Sequence, residues 1–152
     1  MAHLEHMKLE NQMCFPLYAL SREVIKAYKP LLEPHGLTYT QYIAMLVLWE
    51  EETIRFKDLG KRLHLDSGTL TPLIRNLEKS ELVHKYRNPE DDRTVTVELS
   101  EKGYALKDRL QHVPIQILDQ FDGNKEDLVA LKQLLDAMLA HSEGGDIHDK
   151  KV

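Results

Sequence analysis

The sequence has little of what would place it in several specialised classes of protein. It has one cysteine, Cys14, in 152 residues, which excludes an internal disulfide framework. Its 7 glycines and 6 prolines are too few for a collagen-like or low-complexity chain. The longest nearly unbroken apolar run, residues 42–49, is far shorter than the roughly 20 residues that cross a bilayer. We therefore expect a cytoplasmic protein without a membrane partner.

What is present is the composition of an ordinary folded domain. The chain is 42% apolar and 30% charged, and its length fits one domain. The net charge of −5 does not favour a nucleic-acid partner, but the charge is unevenly distributed. Residues 56–93 carry a small excess of basic over acidic side chains. The basic ones are Lys57, Lys61, Arg62, Arg75, Lys79, Lys85, Arg87 and Arg93.

The expected organisation is one domain over residues 11–142. We expect residues 1–10 to be a flexible segment left from cloning, with Met7 as the natural start, and residues 143–152 to be a mobile tail. Apolar residues recur every three or four positions from Met13 to Leu31, which predicts an amphipathic helix ended by Pro30 and Pro34. Thr38 and Gln41 then have the spacing of a capping box, so a second, largely apolar helix is predicted to about residue 51.

The middle of the chain has the order of a winged helix. Two short helices, at residues 56–63 and from about residue 69, flank a turn, which is the pattern of a helix-turn-helix. Val95, Val97 and Leu99 then alternate with polar residues, and residues 82–87 can pair with this strand. Residues 88–93 are predicted to be a long polar loop. The predicted fold is mainly α with a small β-hairpin wing.

Two further helices are expected after the hairpin. Ser100 is placed to cap a helix that Pro114 should bend, and Asn124 is placed to cap a last helix over about residues 128–138.

The second short helix has the chemistry needed to bind DNA. Its apolar positions can pack into a core, while its other positions hold side chains that can bond base edges and phosphates. Those polar positions are Ser67, Thr69, Thr71, Arg75 and Asn76. Pro72 lies inside this helix and is expected to perturb its first turns. An ordinary solvated helix face is an equally good interpretation of these residues taken alone.

The hairpin offers a second set of DNA-binding candidates. Asp91 is close enough in sequence to Arg93 to hold the guanidinium extended, and an arginine presented in this way suits a narrow minor groove. Lys85 and Arg87 are assigned to phosphates. A solvated pair in a turn is the competing interpretation of Asp91 and Arg93.

Several motifs together resemble the MarR family of bacterial winged-helix repressors, and in particular its organic-hydroperoxide-resistance branch. The motifs are CFPLY at 14–18, YKPLL at 28–32, LTYTQY at 37–42, LDSGTLTPL at 65–73 and DDR at 91–93. The resemblance implies a homodimer held by residues 11–34 and 100–142. Two winged helices, residues 53–99 of each protomer, would bind an inverted repeat in double-stranded DNA.

The resemblance also implies a redox sensor. Regulators of this branch sense organic hydroperoxides through one cysteine that matches Cys14, and a helix start favours the reactive thiolate. The resemblance implies that Tyr18 and Tyr28 bond this thiolate across the dimer and that Tyr39 supports the pocket. Oxidation to a sulfenic acid would release the operator. Because no second cysteine is present, reversible inactivation should need a low-molecular-weight thiol.

Other functions stay open at this point. A repressor of the same fold could be released by a small aromatic acid, with Cys14 only structural. A peroxidase could use Cys14 catalytically, although a helix-turn-helix would then have no purpose. An adaptor could keep the fold without binding DNA. A metal sensor is disfavoured because the spacing of His35, His64, His84, His112 and His141 places no pair on one helix face. We expect no cofactor and no metal.

Overall fold

The computed structural model describes residues 2–143, and the chain divides into two compact units, Met1–Ile117 and Leu118–Val152. The first unit contains the predicted winged helix. The elements, in chain order, are α1 (Cys14–Leu32), α2 (Tyr39–Glu51), β1 (Thr53–Arg55), α3 (Phe56–Leu63), α4 (Ser67–Lys79), β2 (Val83–Asn88), β3 (Asp91–Leu99), α5 (Glu101–Leu110), α6 (Val113–Asp119) and α7 (Lys125–Glu143). The described part of the chain thus has the mainly helical fold, with a small antiparallel sheet, that was expected.

The core of the first unit is built around α2. Tyr42, Met45 and Leu48 of this helix are buried, as the sequence predicts for a helix that is apolar around most of its circumference. The capping box that begins α2 is also confirmed. The backbone N–H of Gln41 donates to Thr38 Oγ1 at 3.3 Å, and the backbone N–H of Thr38 donates to Gln41 Oε1 at 3.0 Å. Both bonds satisfy donors that a helix start leaves unpaired.

The sheet has three strands in the order β1-β3-β2, all antiparallel. The sequence predicts only β2 and β3, because β1 is three residues long and offers no recognisable alternation. The predicted long loop at residues 88–93 is wrong. The strands continue to a tight turn at Pro89 and Glu90, with Asn88 opposite Asp91 and an irregularity between Arg87 and Asn88. Continued backbone pairing therefore orders most of the segment.

The predicted effects of three prolines need correction. Pro30 lies inside α1, which ends two residues later at Leu32 and is followed by a 3-10 turn and by Gly36 at φ 72°. Pro72 does not interrupt α4, since near the helix start it frees only the carbonyl of Gly68, an exposed residue that water can reach. Pro114 is the second residue of α6, so the predicted bent helix is two helices.

The predicted caps of the later helices are confirmed. The backbone N–H of Gly103 donates to Ser100 Oγ at 2.9 Å at the start of α5. The backbone N–H of Asp127 donates to Asn124 Oδ1 at 2.8 Å at the start of α7, which is longer at both ends than predicted.

The structure describes the two ends of the chain to different extents. Residues 2–11 form two 3-10 turns, and the side chains of Asn11 and Gln12 donate to backbone carbonyls of this segment. The predicted mobile tail lies outside the described residues except for Glu143, where α7 ends. No helix in residues 2–143 is long and apolar enough to cross a membrane. The domain boundaries stay a prediction.

Candidate DNA interface and cysteine site

Helix α4 divides into a packing face and an exposed polar face. Leu70, Leu73, Ile74 and Leu77 are buried. Ser67, Thr69, Arg75 and Asn76 are exposed, as a helix that enters a DNA groove requires. Thr71 fits that role less well than the sequence predicts. It is half-buried, and its hydroxyl donates to the Ser67 carbonyl at 2.7 Å.

The start of α4 is fixed by a residue that the sequence analysis did not single out. The side chain of Asp66 accepts a hydrogen bond from the backbone N–H of Thr69 at 2.8 Å and is the N-cap of the helix. This hydrogen bond holds the pKa of the Asp66 carboxyl below its usual value. The signal was available, because Asp66 precedes the apolar periodicity of α4 by a few residues, as an N-cap does.

The wing presents Arg93 in the predicted way. The Asp91 carboxylate oxygen Oδ1 accepts from the backbone N–H of Arg93 at 3.1 Å and from its Nε at 3.3 Å. These bonds hold the pKa of the Asp91 carboxyl below its usual value, so the carboxylate stays ionised at neutral pH. The Arg93 side chain is 93% exposed. An exposed arginine, oriented by Asp91, can therefore project from the wing.

The two side chains assigned to phosphates both make contacts within the protein. Arg87 Nη1 donates to the Asp92 carbonyl at 2.7 Å, which ties β2 to β3 near the turn. Lys85 Nζ lies 4.9 Å from the centroid of the Phe56 ring, in a cation–π contact. Their assignment to phosphates stays a prediction.

Cys14 is exposed and is the first residue of α1. Tyr18 lies four residues further on, on the same side of the helix, and is exposed, with the Arg22 guanidinium carbon 5.6 Å from its ring centroid. Tyr28 is at the other end of α1. Fourteen residues of helix separate it from Cys14, a distance of about 21 Å along the axis. One protomer therefore does not bring Cys14 and Tyr28 together.

Tyr28 belongs to a cluster of three tyrosines. Its ring centroid lies 4.8 Å from that of Tyr39 and 5.7 Å from that of Tyr42. Burial, together with the neighbouring Tyr39 and Tyr42, raises the pKa of Tyr28 to about 12. Burial also raises the pKa of Tyr39. Both hydroxyls thus stay protonated near neutral pH and can donate hydrogen bonds. The structure pairs Tyr28 with Tyr39 rather than with Tyr18.

Within residues 2–143, no three His, Cys, Asp or Glu side chains come together as a metal site would require.

Comparison with known proteins identifies the family. The model of the family "Transcriptional regulator SarA/Rot" matches residues 26–110. The chain is 48% identical over 135 residues, 89% of its length, to the organic hydroperoxide resistance transcriptional regulator of Bacillus subtilis, of which the match covers 92%. The chain belongs to the MarR family of winged-helix transcriptional regulators.

Solved structures agree with this placement. AbfR of Staphylococcus epidermidis, reduced and bound to DNA, has a TM-score of 0.75 at 31% identity, covering 93% of this chain and 98% of AbfR. Overoxidized AbfR bound to DNA has a TM-score of 0.74 at 32% identity over the same shares of the two chains. The relatives of this MarR-family chain are transcriptional regulators, and some of them have been solved on DNA.

Proposed function

We propose that this chain is a homodimeric repressor that binds an inverted-repeat operator and is released when an organic hydroperoxide oxidises Cys14. The observation that carries the proposal is the position of the one cysteine. It is exposed at the first residue of α1, in a chain that is 48% identical over 135 residues to an organic hydroperoxide resistance regulator. Because a repressor acts where the chromosome is, we expect it in the cytoplasm.

The proposed chemistry is a two-electron oxidation of the thiol. The Cys14 thiolate attacks the distal oxygen of the hydroperoxide, the O–O bond breaks, and the alcohol leaves after taking up a proton. The sulfur becomes a sulfenic acid. A low-molecular-weight thiol then condenses with the sulfenic acid, forming a mixed disulfide and releasing water. Without that thiol, further peroxide would carry Cys14 to a sulfinic or sulfonic acid.

One observation supports a dimer, and a second requires that a sensor built from Cys14 and Tyr28 be shared between protomers. Large apolar side chains of α1 are exposed in the single chain, among them Phe15, Leu17 and Ile25, and α7 exposes a stripe that includes Leu131 and Leu134. Such surfaces are typical of protein interfaces. In addition, Tyr28 can reach a Cys14 thiolate only from another protomer. We propose that Tyr28 and Tyr39 of one protomer donate to Cys14 of the other.

The proposed DNA contacts follow the exposure of the side chains. Ser67, Thr69, Arg75 and Asn76 of α4 would face the major groove, and Arg93 would enter the minor groove. We expect Thr71 to contribute less to DNA binding, because its hydroxyl already donates a hydrogen bond within the helix.

The test is DNA binding before and after oxidation. Reduced wild type and Cys14→Ser are titrated onto the DNA upstream of the gene, with and without a small excess of an organic hydroperoxide. We expect peroxide to release the wild type and to leave the variant bound. If the wild type stays bound both with and without a small thiol present, sensing by Cys14 is wrong. If neither protein binds this DNA more tightly than an unrelated duplex, the repressor proposal itself is wrong.

The oxidation state that releases the DNA needs its own measurement. AbfR has been solved on DNA in an overoxidized form, so oxidation alone did not prevent that complex. Mass spectrometry of samples oxidised with and without a small thiol distinguishes the mixed disulfide from the sulfinic and sulfonic acids. We expect the thiol adduct to form and added reductant to restore binding. Recovery by reductant without any thiol adduct would contradict the proposed chemistry.

A second candidate function is release by a small aromatic acid. A cleft of about 470 Å³ near the start of α5 is lined by His35, Lys102 and Arg109 together with apolar side chains such as Leu82 and Leu106. Cationic and apolar groups together suit an aromatic carboxylate. Salicylate should then release Cys14→Ser as effectively as the wild type. If salicylate releases neither protein from the DNA, even at millimolar concentration, this function is excluded.

A further inference from the structure

We propose that a cleft at the base of the wing, between β3 and the start of α3, binds a backbone phosphate of the DNA duplex. The cleft encloses about 250 Å³ and is lined by Arg55, Lys57, Lys61 and Arg93, with Asp58 as its one carboxylate and Phe56 among the apolar groups. The inference rests on the proposed function, because it names the contact that positions the winged helix on its DNA.

The charge of this phosphate cleft is opposite to that of the whole chain. Four cationic side chains against one acidic side chain line it, whereas the protein carries a net charge of −5. The net charge of the protein therefore does not attract DNA. Attraction to a phosphate must come from a local cluster of cationic side chains such as this one. A duplex presents one negative charge per roughly 1.7 Å of its axis, and cationic side chains bind it by releasing counterions.

Both arginines of the cleft are oriented by carboxylates. Arg55 Nε donates to Asp58 Oδ2 at 2.7 Å, just as Arg93 Nε donates to Asp91 Oδ1. Each carboxylate is bound through Nε, and no other hydrogen bond or ion pair within residues 2–143 involves the Nη atoms of these two arginines. The Nη groups of Arg55 keep donors for phosphate oxygens, which guanidinium groups bind in a bidentate manner, while those of Arg93 stay available to the minor groove.

The two lysines of the cleft occupy one face of α3. Lys57 and Lys61 are one helical turn apart, both are exposed, and neither forms an ion pair within the described residues. In a helix-turn-helix, the first helix crosses the DNA backbone while the second lies in the groove. Here α3 is that first helix. Its unpaired lysines are therefore better placed for phosphates than Lys85 and Arg87, whose charged groups already have partners in the protein.

The experiment compares two double variants that remove the same charge. Lys57→Gln with Lys61→Gln alters the cleft, and Lys26→Gln with Lys132→Gln removes two exposed lysines of α1 and α7. Binding of each reduced protein to the upstream DNA and to an unrelated duplex is measured by fluorescence anisotropy over a series of KCl concentrations. Circular dichroism and sedimentation velocity check that each variant is folded and has the wild-type oligomeric state.

We expect the cleft variant to lose about 0.9 in the slope of log K against log salt for each phosphate contact that is removed. The loss should be the same on both duplexes, so that the ratio of their affinities is unchanged, and the control should keep the wild-type slope. A wild-type slope in the cleft variant overturns the inference, as does an affinity loss confined to the upstream DNA. A wild type that binds but is not released by peroxide contradicts only the proposed function.

Discussion

At the scale of single residues, Arg93 is the side chain whose geometry points most directly to DNA recognition. It is almost fully exposed and bonded by Asp91. We expect Arg93→Ala to weaken binding to the upstream DNA by about 1–3 kcal/mol. Lys107→Ala removes an exposed basic side chain of α5 as the control and should bind like the wild type. Unchanged affinity for Arg93→Ala, measured by anisotropy, would remove the wing from the contact model.

Tyr28 provides a prediction on pH at the same scale. Its pKa is about 12 in the folded protein and 10.0 when unperturbed. Folding therefore favours the neutral phenol, and this contribution to stability is complete below pH 10 and is lost as the pH rises through 12. We measure Tm from pH 8 to pH 12. As the pH rises, the Tm of Tyr28→Phe should fall less than that of the wild type. Tyr104→Phe, which removes an exposed tyrosine of α5, is the control and should follow the wild type.

At the scale of elements, Gly103 allows α5 to begin against the wing. A Cβ at this position would clash with the Leu82 carbonyl oxygen and lie 2.8 Å from Leu99 Cδ1. The Gly103 carbonyl accepts from Trp49 Nε1 at 2.9 Å, which also ties this point to α2. We expect Gly103→Ala to lower the free energy of unfolding by about 1–3 kcal/mol, because backbone must move to relieve the clash.

The control for this prediction is a glycine in a helix with room for a side chain. A Cβ at Gly68, in the first turn of α4, would have Asp66 Oδ1 at 3.4 Å as its nearest neighbour. Gly68→Ala should leave stability unchanged or raise it by about 0.5–1 kcal/mol, since alanine restricts the unfolded chain. Urea unfolding of both variants gives the comparison. Equal losses would mean that the contact with Leu82 does not determine the effect.

The same scale shows what can be predicted from the sequence. Helices α2, α3 and α4 were predicted correctly because their signals are local: a cap at Thr38 and apolar residues at helical spacing. Strand β1 was missed because its pairing with β3 joins Ile54 to Val97, residues far apart in the chain. The extent of the wing strands was underestimated for a similar reason. Pairing across the hairpin outweighs the polar, turn-forming composition of residues 88–93.

The candidate site likewise has parts that the sequence could predict and parts that it could not. The contact of Asp91 with Arg93 spans two residues and was predictable, whereas the phosphate cleft was not. It joins Lys57 and Lys61 of α3 to Arg93 of β3, and those side chains meet only because the sheet folds back onto α3. The sequence showed that residues 56–93 are enriched in basic side chains. It did not show which of these side chains, such as that of Arg87, form hydrogen bonds within the protein.

At the scale of the whole molecule, the decisive question is whether Cys14 and Tyr28 meet across a dimer. The proposed arrangement predicts complementation between two defective protomers. A heterodimer is prepared from a Cys14→Ser protomer and a Tyr28→Phe protomer, each with a different affinity tag. Its one cysteine belongs to the Tyr28→Phe protomer, so the reaction of this thiol with an organic hydroperoxide has a single rate.

If the pocket is shared between protomers, the cysteine of this heterodimer faces the intact Tyr28 of the Cys14→Ser protomer. We then expect the thiol to react at the wild-type rate, while the Tyr28→Phe homodimer reacts at an altered rate. A pocket within one protomer would instead give the heterodimer the rate of the Tyr28→Phe homodimer. That arrangement would require α1 to bend so that its two ends, about 21 Å apart in a straight helix, come together. The 19-residue helix shows no such break, and for this reason we expect complementation.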